Sequence, residues 1–426
     1  MIFLVIFGLV LMTLLGAPLF TVLTGAAMAG FTMLGIDLSV VAIEFYRIAD
    51  TPVLVALPLF TFTGYLLAES KAAARLVGLT RAFLGWMPGG LAIVAFVVCA
   101  LFTAFTGASG VTIVAMGALL YPALKQDGYE ENFSLGLVTT SGSLGLLLPP
   151  SLPLILYGII AQQMDAGADI SIEKLFAAGI LPALLMILLL SAWSIRANRH
   201  NPAPLTRFSF KNCLSALRAA AWEIPLPIFV SAGIYSGYFA VSEAAAVSAM
   251  YVLVVEMLVY REVKWSRLPS IIRESMIMVG GILLILGVSL AFTNFLIDAQ
   301  IPMKLFALCQ QCIASKWVFL ILLNLFLLML GTMLDIFSAI VIMVPLMLPI
   351  AMEYGIHPVH LGIIFLANMQ IGYFTPPVGM NLFIAGYRFN KPIMTIYRAT
   401  IPFMLVLLLA VIIITYWPGL SLFLIS

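Results

Sequence analysis

Two stretches of this chain, 227 positions apart, carry the same punctuation of prolines and glycines. Pro122 matches Pro349, Gly128 matches Gly355, Gly145 matches Gly372, and the pair Pro149-Pro150 matches Pro376-Pro377, with no gap needed to align them. A doubled hydrophobic unit, interrupted by Gly and Pro at corresponding places, is the sequence sign of a membrane carrier built from internal repeats. Its site is then expected where the helices break.

Composition fixes the solvent. Of 426 residues, 63% are hydrophobic and 9% charged, against about 25% charged in a water-soluble domain. Apolar runs long enough to cross about 30 Å of hydrocarbon recur from end to end. The first 33 residues carry no basic leader and read as a retained span, loosened at Gly16-Ala17-Pro18. A net charge of +2 gives no sign of nucleic acid, and most cations sit in short loops, where they report topology. Cys309 and Cys312 form a CxxC without a second pair or a nearby His, so it reads as chance spacing in an apolar helix. His357 and His360, with Glu353, lack a third ligand and are expected to face solvent in a short loop.

Residues 38–50 are amphipathic and should lie along the membrane interface. A span at 52–68 and a surface helix at 69–85 follow, the latter with Lys71, Arg75 and Arg81. Residues 86–124 form an apolar block of 39 residues, too short for two spans of about 20 residues and a turn. A re-entrant hairpin turning at Thr106–Gly110 fits better, and 313–352 repeats the form around Gly331-Thr332 and Asp335. Each hairpin precedes a broken helix, at 132–163 (SGSLGLLLPPSLP) and 358–387 (IGYFTPPVGMN). A Pro-Pro pair removes backbone donors and opens the helix there. Spans at 173–196 and 394–416 follow. Between the halves lie a polar loop (197–218) and a span at 224–240; residues 241–260 span again and lead into a second amphipathic arm at 261–275.

Charge sets the orientation. Arg196, Arg199, Arg207, Lys211 and Arg218 make the central loop cytoplasmic. Tracing outward puts Lys71, Arg75 and Arg81 inside, and Asp165, Asp169 and Glu173 outside. Arg261, Lys264, Arg267, Arg273, Arg388 and Lys391 fall inside. The matching segments 162–173 and 388–393 thus lie on opposite faces, so the repeats are inverted. The expected fold is an all-α polytopic membrane protein of nine spans, N-terminus inside and C-terminus outside. Its first repeat is 1–196, a linking region 197–240, and its second repeat 241–426.

Inversion brings two hairpin tips and two broken helices toward the bilayer midplane. Helix N-termini suit a carboxylate, and unwound carbonyls suit a hard cation such as Na⁺. The first repeat offers Thr106, Gly107 and Ser109 at its tip, with Ser141, Ser143, Gly145 and Pro149 on its broken helix. The second offers Gly331, Thr332 and Met333, with Gly372, Thr375, Pro376, Gly379, Met380 and Asn381 opposite. Any one hydroxyl or glycine has packing as its plain alternative; their concentration at both breaks points to a site. Asp335 is ionisable and expected within the membrane, which marks function, while capping the helix that follows it is the other reading. An intramembrane enzyme would need a catalytic set at depth, and only Asp335 is placed for one.

The strings FTGASGVTIVAMGALLYPALKQDGY, FSLGLVTTSGSLGLLLPPSLPLILYG and TPPVGMNLF resemble the large membrane subunit of TRAP (tripartite ATP-independent periplasmic) transporters. The resemblance covers essentially the whole chain and is densest at 102–158 and 328–386. It departs at the second tip, where Asp335 is followed by Ile336-Phe337-Ser338 rather than an acidic-Pro-Thr run. It implies an elevator-type carrier in a bacterial inner membrane, driven by Na⁺ with no organic cofactor. One ion would sit near each hairpin and broken-helix pair, at Thr106, Gly107, Ser109, Ser143, Gly145 and Pro149, and at Gly331, Thr332, Met333, Gly372, Thr375, Pro376, Gly379 and Met380. Ser109, Ser141, Asp335 and Asn381 are then the candidates for an organic-acid substrate such as a C4-dicarboxylate or sialic acid. The implied partners are a periplasmic substrate-binding protein and a small four-helix membrane subunit. Glu44, Arg47 and Asp50, on an arm expected to be periplasmic, are either docking residues for the binding protein or a solvated face. The alternative function is a stand-alone carboxylate or ion carrier of related architecture that needs no delivery protein.

Overall fold

The computed structural model describes residues 2–87, 89–164, 170–199, 209–313 and 315–425, and every regular element among them is a helix. Helices α1 (Ile2–Leu14) and α2 (Leu19–Leu34) are separate. Gly16 takes a left-handed φ of +79° between them, and Pro18 has no N–H to continue the first helix. The arm α3 (Ser39–Arg47) leads to α4 (Ala56–Glu69) and the surface helix α5 (Ala72–Leu84). The first hairpin is α6 (Gly90–Thr106) and α7 (Ser109–Gln126). The first broken helix is α8 (Glu131–Ser141), a 3₁₀ turn at Leu144–Leu147, and α9 (Leu152–Gln163), with α10 (Ile172–Ala197) after it. Then come α11 (Phe210–Ala219), α12 (Pro225–Tyr235), α13 (Val241–Val254), α14 (Leu268–Asp298) and α15 (Ile301–Cys312). The second hairpin is α16 (Lys316–Met333) and α17 (Ile336–Glu353), and the second broken helix is α18 (Pro358–Gly372) and α19 (Met380–Phe389). Helices α20 (Ile393–Tyr416) and α21 (Gly419–Leu422) close the chain. Eight helical segments among the described residues are long and apolar enough to cross a membrane, two of them hairpin arms. The protein is a multi-pass membrane protein.

The sequence repeat is a structural repeat. Helices α7 and α17 both have 18 residues and begin and end 227 positions apart. Gly128 and Gly355 turn the chain after them with φ of +86° and +70°, and both Pro-Pro bonds are cis. The two copies run antiparallel. Lys391 Nζ, beyond the end of α19, lies 2.6 Å from Glu131 Oε1 at the start of α8. At the other end, the Tyr157 hydroxyl of α9 donates to the Pro358 carbonyl at the start of α18, at 2.7 Å. The repeats also interlock. Helix α9 packs on α17 of the other repeat, and α19 lies on α7, with Ile384 and Phe389 over Gly110 and Gly117. Hairpins and broken helices therefore form one block. Beside it α2, α4, α13 and α14 pack on one another as a second layer.

Four expectations are corrected. The segment 1–33 is two helices rather than one span. Residues 224–240 hold an 11-residue helix, about 16 Å long, which is short of the hydrocarbon thickness. No separate arm occupies 261–275, because α14 starts at Leu268 and continues unbroken for 31 residues. The counterpart of α5, immediately before the second hairpin, is α15. Finally, His360 is 3% exposed; its ring nitrogens lie 3.2 Å from Ser421 Oγ and 3.3 Å from the Thr415 carbonyl. His357 remains exposed and caps α18, its Nδ1 accepting from the Val359 N–H. Asp165, Asp169, Arg207 and the side chains of Cys309 and Cys312 lie outside the described residues.

Charge anchors the surface arm. The Arg75 guanidinium of α5 bonds Glu262 at 2.6 Å and Glu256 at 3.2 Å, and also Glu223. Burying one cation among three carboxylates makes each partner costly to remove.

Glycine sets the closest helix contacts in the block. A Cβ on Gly145 would stand 2.0 Å from the Ala100 carbonyl, and one on Gly372 would stand 2.5 Å from Gly331 Cα. We predict that Gly145→Ala and Gly372→Ala each lower unfolding free energy by about 1–3 kcal/mol, read as a lower thermal midpoint in detergent. Gly78→Ala on α5, where a Cβ meets nothing within 4 Å, should leave the midpoint unchanged or raise it slightly.

Candidate functional site

At the first tip α6 stops because Gly107 adopts φ +63° and its N–H closes onto the Thr103 carbonyl at 2.8 Å. Ala108 is extended, and α7 starts at Ser109. Four hydroxyls gather here without a charge. Thr103 Oγ1 lies 2.7 Å from Thr112 Oγ1 and donates to the Gly142 carbonyl at 2.9 Å, while Thr106 Oγ1 is 3.4 Å from Thr112 Oγ1. Ser109 Oγ donates at 2.8 Å to Asn381 Oδ1 on the broken helix of the other repeat. Thr106 and Asn381 are fully buried, and the Asn381 amide nitrogen has no partner among the described residues. Helix α4 of the second layer seals this tip, since Gly64 brings its backbone against Thr106.

The first broken helix lies under the tip. Gly145 packs on Ala100, Thr103 and Ala104, and a Cβ on Gly107 would strike Leu152 at the start of α9. Ser143 Oγ donates to the Thr140 carbonyl at 3.2 Å and to the Gln370 carbonyl at 3.1 Å. Gln370 is the repeat partner of Ser143, so this bond crosses between corresponding positions of the two copies. Ser141 points back along its own helix to the Val138 carbonyl at 3.4 Å and does not meet Ser109 or Asn381. Pro149 is half-buried in the turn.

The second tip is built differently. Leu334 is extended, and Asp335 caps α17 by accepting from the Ser338 N–H at 3.0 Å and from its hydroxyl. Of the two readings of Asp335, the capping contact is thus present. Its side chain sits on an exposed tip rather than in an enclosed site. Tyr373 bridges this tip to α19, its hydroxyl accepting from the Ile336 N–H at 2.7 Å and its carbonyl from the Asn381 N–H at 2.9 Å. Gly331 and Gly372 are in backbone contact, and Gly379 lies against the Tyr373 carbonyl. Thr375 bonds the Ile371 carbonyl at 2.8 Å and is half-buried, as is Pro376. Thr332 bonds its own helix, while Met333 (68% exposed) and Met380 face outward.

The structure therefore joins Thr106, Gly107, Ser109 and Asn381, joins Ser143 and Gly145 to them through Thr103 and Gly142, and groups Gly331, Gly372, Thr375 and Gly379. It does not bring Asp335 to Ser109. Sequence reasoning missed Thr103, Thr112 and Tyr373. The spacing of Thr103, Thr106, Ser109 and Thr112 at three-residue steps was the available signal. On the arm, Arg47 Nη1 is 3.1 Å from both oxygens of Glu44, and Asp50 is exposed.

Comparison with known proteins agrees with this geometry. The family described as the tripartite ATP-independent periplasmic transporter, DctM component, matches residues 4–420. The C4-dicarboxylate TRAP transporter large permease protein DctM of Pseudomonas aeruginosa is 36% identical over 383 residues, 89% of this chain and 88% of that protein. Its namesake in Rhodobacter capsulatus is 33% identical over 98% of both chains. The isethionate TRAP transporter permease protein DctMQ of Oleidesulfovibrio alaskensis is 32% identical over 98% of this chain and 66% of that protein. Among solved structures, the YdaH transporter of Alcanivorax borkumensis covers 89% of this chain and 87% of its own at a TM-score of 0.63. At 15% identity that likeness speaks to fold alone. With the family matched from end to end and the inverted, interlocked hairpins in place, this chain belongs to the DctM component of the tripartite ATP-independent periplasmic transporters.

Proposed function

We propose that this chain is the large membrane subunit of a Na⁺-coupled, binding-protein-dependent importer that moves an organic acid across the bacterial inner membrane by an elevator motion. The observation that carries the proposal is the Ser109–Asn381 hydrogen bond, 2.8 Å long, between the tip of one repeat and the broken helix of the other. A site shared by both repeats travels only if both move together, and the interlocked block supplies that unit. The tips differ in cover: α4 lies over Thr106, while Met333 is 68% exposed. Such asymmetry is expected when a symmetric block rests against one end of a scaffold.

The hydroxyl cluster of Thr103, Thr106, Ser109 and Thr112, with the carbonyls of the opened helix at Ser143–Pro149, supplies hard oxygen donors for Na⁺. Gly331, Gly372, Thr375, Pro376 and Gly379 hold the second ion in this reading, and Thr332, which bonds its own helix, and Met333 and Met380, whose side chains face outward, contribute only backbone carbonyls. The unpartnered amide nitrogen of Asn381 is a donor for the substrate's acid group. Ser141 and Asp335 act on substrate only after a rearrangement, since neither reaches Asn381 here. Relatives are named for C4-dicarboxylates, isethionate and sialic acid, and an acid of that kind is the proposed cargo. A small four-helix membrane subunit braces the scaffold, and a periplasmic binding protein delivers substrate to the arm bearing Glu44, Arg47 and Asp50. Residues 1–196 and 241–426 are the two repeats, with the N-terminus inside and the C-terminus outside.

The test is reconstitution of the chain with its small subunit in proteoliposomes, with binding protein added outside. Uptake should require both an inward Na⁺ gradient and the binding protein. Uptake that persists without any binding protein would establish the stand-alone carrier instead. Thr103→Val and Ser109→Ala should each cut Na⁺-driven uptake at least about tenfold while the protein stays folded and inserted in the membrane; full activity in both would remove the first tip from the site. Cysteines at positions 173 and 391 should react with an impermeant maleimide from the outside only and the inside only. Reaction of both from one face would refute the orientation.

A further inference from the structure

We infer that the cavity between α3, α9 and α14 is a receiving subsite, at which Arg47 takes the carboxylate or sulfonate of the incoming organic anion. The inference rests on the importer reading above and assigns a substrate contact to a residue outside the broken-helix site. The cavity measures about 130 Å³. Its walls come from both parts of the protein: Glu44 and Arg47 from the arm, Ser289, Thr293 and Asn294 from α14, and Gln163 from the end of the first broken helix. A small anion there would touch the scaffold and the block at once.

Arg47 is half used. Glu44, 8% exposed, holds Nη1 with both carboxylate oxygens at 3.1 Å. A guanidinium carries five N–H donors in a rigid fork. The Nε and Nη2 edge makes no bond among the described residues, and the side chain is 64% exposed. That free edge is the one that grips two oxygens of an acid group with two parallel hydrogen bonds. Thr293 supports the same reading from within. It is 7% exposed, lines the cavity, and its hydroxyl has no partner among the described residues. The side chains of Asn294 and Gln163 are likewise unbonded there, so donors surround the space where further oxygens of the anion would lie.

The floor of the cavity reaches the second hairpin. Ser289 Oγ donates at 2.8 Å to the Val341 carbonyl of α17. That carbonyl has no helical partner, because Pro345, four residues on, carries no N–H. The cavity wall is therefore hydrogen-bonded to a hairpin arm. Glu44 offsets the charge of Arg47, which makes the subsite weak, as a point of passage must be for the anion to leave it.

The test uses the reconstituted complex with binding protein and whichever of succinate, isethionate or N-acetylneuraminate the wild type takes up fastest. Arg47→Gln should raise KM at least about tenfold and change the maximal rate less than about threefold. Arg47→Lys, which keeps the charge but loses the fork, should fall between. Thr293→Val, nearly isosteric, should raise KM about threefold. Affinity of the binding protein for the membrane complex, measured on an immobilised complex, should stay within about twofold of wild type. Unchanged KM in both Arg47→Gln and Thr293→Val would overturn the inference and leave the importer reading intact. A loss of binding-protein affinity in Arg47→Gln that matches the rise in KM would also overturn it, assigning the residue to docking. A wild-type complex that imports none of the three anions would remove the importer reading and this inference with it.

Discussion

An opened helix inside hydrocarbon exposes backbone groups that water cannot reach, and such backbone persists only where protein covers it. This chain opens two helices and covers each by near-contact of main chains, which requires glycine. Gly145 lies on the first arm of its own hairpin and Gly372 on Gly331. Gly64 lets α4 of the second layer close over the first tip. Where lipid offers no hydrophobic drive between helices, close approach of small residues is what holds them. The broken helices, the hairpins that shield them and the block they form all rest on these contacts.

The covering is exchanged between repeats. Helix α19 lies on α7 and α9 on α17, so neither hairpin is complete without the other repeat. The bonds Ser109–Asn381 and Ser143–Gln370 cross the same boundary. Exchange of this kind turns two half-sites into one body, while the two tips keep separate chemistry. The first turns on a glycine among hydroxyls. The second turns on extended Leu334 and a capping carboxylate, and Tyr373 ties it to the site from outside. A block built from two like repeats thus carries two unlike tips.

The hairpins were legible because each is two apolar arms around a polar centre, and the repeat fixed their register. Other elements were not. Apolar residues facing lipid and apolar residues facing protein look alike, so the 11-residue α12 could not be told from an ordinary span, while Arg273 and Glu274 made the start of the 31-residue α14 read as a separate surface arm. Likewise α15 carries little charge and does not declare itself a surface arm. His360 seemed solvated because its partners, Ser421 and Thr415, lie 61 and 55 residues away. Arg75 looked like a surface cation, yet three distant carboxylates enclose it.

By itself the sequence determined where the backbone breaks, that it breaks twice in the same way, and, through the loop charges, the expectation that the copies face opposite ways. Those features are local: a proline pair, a glycine at positive φ and a lysine in a short loop act through their immediate neighbours. Only the tertiary structure decided which groups share a site. Ser109 meets Asn381 across 272 residues, Thr103 meets Gly142, and Arg47 lines a cavity shared with α9 and α14. Such pairings depend on the packing of whole helices, and no residue's own propensity encodes them. The repeated glycines and prolines therefore marked the place of the candidate site, while the interlocking of the two copies selected which residues meet there.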